Sequence, residues 1–208
     1  MQLILVPAII TLAVTLLRLT GERLGWSRLL FNPAPGGGGA LVGIAWLVPV
    51  FGIYFAWKLA RRGEGPGHPW RALGLAVLGV VLIVAVGFGA NALHFGLRRE
   101  LLAFAVASAI SVGLAWRGWP ALGRTLLAYA FAARIPVALV MLVAIFGNWG
   151  THYDVVPPEA GDVNQMAPLV KWFWIGFLPQ MTGWIMFTVV VGTILGALTV
   201  GLLKPRPA

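Results

Sequence analysis

ALGLAVLGVVLIVAVGFGANAL, residues 72–93, runs for 22 positions without a charged side chain. About 20 apolar residues in a helix cross the roughly 30 Å hydrocarbon core of a bilayer, so this stretch alone is long enough to span one. Further apolar runs occupy residues 3–19, 40–59, 101–116, 122–146 and 179–203. Together they predict an all-α, polytopic integral membrane helix bundle of six transmembrane helices with short interfacial helices. Six spans of about 21 residues use roughly 126 positions. In a chain of 208 that leaves little room for a soluble catalytic domain, so residues 1–208 read as a single transmembrane domain.

Composition agrees, at 60% hydrophobic and 10% charged residues. The formal charge of +9 would point to nucleic acid if the basic residues formed a patch. They stand instead at the ends of apolar runs, which excludes nucleic acid as a partner and implicates membrane lipids. Cysteine is absent, which removes disulfides, thiolate chemistry and thiolate metal ligation. No Lys or Arg precedes Arg18 and no A-x-A pattern precedes Thr20, so the first run reads as a retained helix rather than a cleaved signal.

Between the runs, residues 20–39 form an interfacial, glycine-rich connection, with Trp26, Leu29, Leu30 and Phe31 suggesting a short surface helix before a flexible GGGG. Pro49 is expected to kink the second span. Residues 171–204 as one straight helix would measure about 50 Å, too long for a simple crossing. This segment is therefore divided into an interfacial KWFWIGF at 171–177 and a crossing at 179–203, where Gly192 and Gly196 offer a GxxxG packing surface. Tryptophans at the run ends, including Trp57, Trp70, Trp116, Trp119, Trp149 and Trp172, read as an interfacial belt.

With the N-terminus inside, eight Lys and Arg side chains fall on the cytoplasmic side and six on the other. That margin favours an N-in, C-in orientation in a bacterial cytoplasmic (inner) membrane, with residues 147–168 as a polar extracytoplasmic loop.

Two features carry possible chemistry. Arg134 falls in the middle of the fifth run, where a cation costs several kcal/mol unless it is paired, hydrated or buried in the bundle. Assigned spans contain no Asp or Glu, so its candidate partners are polar groups such as Gln180 and Asn91 or a bound anion; Arg134, Gln180 and Asn91 form the candidate substrate-binding set. Second, topology places His94 on the same face as the loop holding His152, Asp154, Glu159 and Asp162. His94, His152 and Asp154 are candidate ligands for a divalent metal, and the same three are candidate catalytic groups for acid/base work on a headgroup. The sequence itself requires no cofactor.

Six spans, intramembrane prolines, abundant glycine and Arg134 favour a transporter or channel-like protein handling an anionic or amphiphilic solute. Two alternatives stand beside it. One is a noncatalytic subunit of a membrane complex or a homo-oligomer, and the other is a lipid- or quinone-modifying enzyme using the His/Asp site.

Overall fold

The computed structural model describes residues 2–156 and 163–204. Glu159, Asp162 and Arg206 lie outside the described residues. The chain is a helix-only polytopic membrane bundle. Its long elements are α1 (Gln2–Arg23), α2 (Leu47–Arg61), α3 (Pro69–Ala92), α4 (Leu97–Gly118) and α5 (Pro120–Gly147). A composite segment follows, made of α6 (Pro168–Lys171), a π-helical turn (Trp172–Phe177), α7 (Leu178–Met181) and α8 (Gly183–Leu203).

Five of these units, counting 168–203 as one, are long and apolar enough to cross a membrane. The sixth, α2, has 15 residues and is therefore only about 22 Å long. Its shortness corrects the expected 40–59 span. Residues 41–46 are apolar but non-helical, and Pro49 sits in the first turn of α2, where its missing N–H has no helical acceptor to lose, rather than at a central kink.

Helix α1 shows how the bundle inverts the soluble pattern. Its buried positions are Pro7, Thr11, Thr15, Arg18, Gly21 and Glu22, spaced three or four apart on one face. Leu5, Val6, Ile9, Leu12 and Leu16 are exposed on the other. Lipid solvates those aliphatic side chains, and the polar stripe is turned into the protein.

Small residues bring the helices together. The GxxxG pair on α8 packs as its spacing suggests: a Cβ on Gly196 would lie 2.7 Å from Cβ of Ala56, and one on Gly52 only 2.6 Å from Cα of Gly192. Facing them are Leu122 and Leu126 of α5, both fully buried. Phe51, Phe55 and Tyr129 complete this core, with both Phe rings edge-on to Tyr129 at 5.4 Å. Helices α3 and α4 form a hairpin in which the Ser111 hydroxyl is 3.0 Å from the Gly79 carbonyl and 2.8 Å from that of Ala107. Trp119 leaves the expected belt. It is 1% exposed at the α4–α5 junction, and its indole N–H donates to the Glu64 carbonyl at 2.8 Å.

The last crossing is interrupted twice, by the π turn and by Thr182, whose φ of −120° and ψ of −80° break the helix before α8. The expected aromatic portion at 171–177 is thus continuous with α7 through a change of helical winding. These interruptions place Pro179, Gln180 and Trp184 against one cavity.

Candidate functional site

The site is a cavity of about 760 Å³ between α1, α5, the α7–α8 junction and the segment leading into α2. Its polar groups include Arg18, Arg134, His152 and Gln180, and its apolar walls include Val14, Ile44, Trp46, Ile175 and Trp184. A mostly apolar chamber with a few charged groups is the usual form of a small-ligand site.

Arg134 comes from α5 and is 3% exposed. Its guanidinium carbon lies 4.4 Å from the centroid of the Trp184 ring, a cation–π arrangement worth about 2 kcal/mol when desolvated. Its Nε finds no hydrogen-bond partner, and Arg134 forms no ion pair among the described residues. Gln180, 7% exposed, turns its amide nitrogen to the Met141 sulfur at 3.7 Å and leaves Oε1 without a partner among the described residues. The sequence-based pairing of Arg134 with Gln180 therefore places both at one cavity. Asn91 lies elsewhere, in an open surface groove with Phe88 and Phe104.

A second cluster closes the cavity's end. Because α1 continues to Arg23 instead of stopping near residue 19, Arg18 and Glu22 occupy successive turns on its buried face. Arg18 Nε donates to Glu22 Oε1 at 2.8 Å, and one terminal nitrogen, Nη2, donates to the carbonyls of Asn32 at 3.2 Å and Gly37 at 2.9 Å. The glycine run is thus a tight wrap over Arg18 and not a loose linker. Gly36, Gly37, Gly38 and Gly39 all have positive φ, and a Cβ on Gly37 would come within 2.9 Å of Arg18 Nη2.

The loop Thr151–Asp154 supplies the other partner of Glu22. Asp154 accepts bonds from the backbone N–H groups of Gly150 and Thr151, each at 2.8 Å, and from the Thr151 hydroxyl at 2.7 Å. Its carboxylate is committed to shaping the loop. His152 then donates its backbone N–H to Glu22 Oε2 at 2.9 Å, and its Nδ1 lies 2.6 Å from Glu22 Oε1. A carboxylate oxygen only accepts, so Nδ1 carries the proton. Burial pushes the His152 imidazole below its ordinary range, against the pull of Glu22 and with the help of nearby Arg18. The ring lines the cavity, and its Nε2 has no hydrogen-bond partner among the described residues. Tyr153 donates its hydroxyl to the Thr15 carbonyl at 3.2 Å, and burial raises that phenol further above its ordinary range.

Among the described residues no three His, Asp, Glu or Cys side chains gather in a way that could hold a metal. His94 sits in the α3–α4 turn with a φ of 50°, whereas His152 and Asp154 belong to the cavity loop. Sequence reasoning did not select Arg18, Glu22 or Trp184. A usable signal was the R-x-x-x-E spacing at the end of the first apolar run, which puts both charges on one helical face.

The chain matches no family model, no curated protein and no solved structure. Its functional reading rests on the residues around Arg134.

Proposed function

We propose that this membrane protein binds an anionic amphiphile in the cavity and carries it across the bilayer, with Arg134 holding the charged end. The observation that carries the reading is the buried Arg134 guanidinium facing a cavity with no carboxylate of its own. A cation at membrane depth costs several kcal/mol, more than one aromatic face returns. A ligand anion supplies the missing partner, and Ile44, Trp46, Ile175 and Trp184 offer its apolar portion a wall. In the N-in orientation expected from the basic residues, the cavity lies toward the extracytoplasmic face.

The test compares wild type with Arg134→Gln in liposomes containing a fluorescent anionic lipid. Wild type is expected to accelerate its movement between leaflets, and the variant to lose at least about tenfold of that rate, the worth of one charged hydrogen bond, at unchanged thermal stability. Equal rates in wild type, variant and protein-free liposomes would overturn the proposal.

A further inference from the structure

Arg134 does not account for the opposite wall of the cavity. Arg18 uses Nε on Glu22 and Nη2 on two carbonyls. Its Nη1 has no acceptor among the described residues and is not sealed from the cavity. It lies against Gly43, where an added Cβ would come within 3.0 Å of it. Gly43, Ile44 and Ala45 line the same wall, and their backbone N–H groups find no acceptor among the described residues. They lead directly into the N-terminus of α2 at Leu47, the positive end of that helix's dipole. Independently, the almost fully buried Arg134 lines the same space, and its Nε has no hydrogen-bond partner among the described residues.

Charge and geometry narrow the ligand. Arg18 and Arg134 against Glu22 leave one net positive charge around the cavity when His152 is neutral, which one negative charge balances. Donors arrive from α1, from α5 and from the backbone of residues 43–45. A planar carboxylate offers its lone pairs in one plane, whereas a tetrahedral phosphoryl group accepts from several directions. The volume of about 760 Å³ lies within the usual range for small-molecule sites, about 300–1,000 Å³.

Resting on the reading above, we infer that the cavity takes the headgroup of a phospholipid with a single negatively charged phosphodiester. Its phosphoryl oxygens are shared between Arg134 and the donors of Arg18 and residues 43–45. The acyl chains leave along Val14, Ile44, Trp46 and Trp184.

The test uses the full chain in phosphatidylcholine nanodiscs supplied with equal amounts of phosphatidylglycerol and oleate, and native mass spectrometry reads which ligand stays bound. Phosphatidylglycerol is expected to exceed oleate by about tenfold, the worth of one charge-assisted hydrogen bond. Arg18→Lys keeps the charge beside Glu22 but removes the guanidinium fork, and Gly43→Ala crowds Nη1 without touching the ion pair. Each is expected to lower phosphatidylglycerol retention by about tenfold while oleate changes less than about twofold. Equal retention of the two ligands, or equal loss of both in these variants, would overturn the phosphodiester inference and leave the anionic-amphiphile reading standing. Retention of neither above phosphatidylcholine, with Arg134→Gln indistinguishable from wild type, would remove that reading too. Competition by soluble glycerophosphoglycerol as strong as by the lipid would overturn the assignment to a membrane lipid.

Discussion

The α3–α4 hairpin and the α1–α5 end of the bundle solve the membrane problem in opposite ways. In the hairpin, contact is made by small residues: Gly118 stands so close to α3 that a Cβ there would be 2.8 Å from Cα of Ala72, and the Ser111 hydroxyl is used on a neighbouring carbonyl. At the other end, Arg18, Glu22 and Arg134 are all buried, and the donor left without a partner among the described residues, Arg134 Nε, belongs to a charged group, whereas in the hairpin the group left so is the neutral Ser108 hydroxyl. Tight packing of small residues needs no ligand to explain it. Buried charge left incompletely partnered is where local and global consistency part, and such places are where binding is sought.

The contrast is breakable. Largest should be Glu22→Gln. It leaves the Arg18 guanidinium without its carboxylate, and losing one member of a buried pair costs about 3–5 kcal/mol. Thermal unfolding in detergent should show a large drop in Tm; a Tm equal to wild type would mean that the Arg18–Glu22–His152 cluster holds nothing together.

Next comes Gly118→Val in the hairpin, expected to cost about 1–3 kcal/mol because backbone rather than a flexible side chain meets the new atoms. Lipid retention by the fraction that remains folded should not change. Selective loss of retention would show that the two regions are coupled.

The smallest effect is that of pH. Burial keeps His152 neutral in the folded chain below its ordinary value of 6.5, so the unfolded chain binds more protons as pH falls. Stability present above that value is lost progressively as pH drops through the depressed folded one. A Tm profile that slopes downward below about pH 6.5 and flattens in His152→Gln is the expected result, and identical slopes would contradict it.

Much of the bundle was legible because hydrocarbon imposes length and apolarity on whatever crosses it. The long uncharged run at 72–93 and the mid-run Arg134 needed no tertiary information. Residues 40–46, ALVGIAW, were not legible as a non-helical wall, since apolar character is shared by a lipid-facing helix and a cavity lining. Glu22 was hidden for a related reason. Hydropathy ends a span at its first charges, yet α1 continues because Arg18, one turn back, and His152, from a loop 130 residues away, supply its carboxylate with partners. His94 and Asn91 illustrate the converse. Topology assigned them a face of the membrane but not a position across it, and Asn91 lies in a different groove from Arg134.

The most direct measurement is a high-resolution cryo-EM map of the protein in nanodiscs with its native lipids retained. The account predicts headgroup density within hydrogen-bonding distance of the Arg134 guanidinium, continuous with acyl density along Ile44 and Trp184. A collapsed, lipid-free cavity in which the Arg134 guanidinium is fully hydrogen-bonded to protein would contradict it.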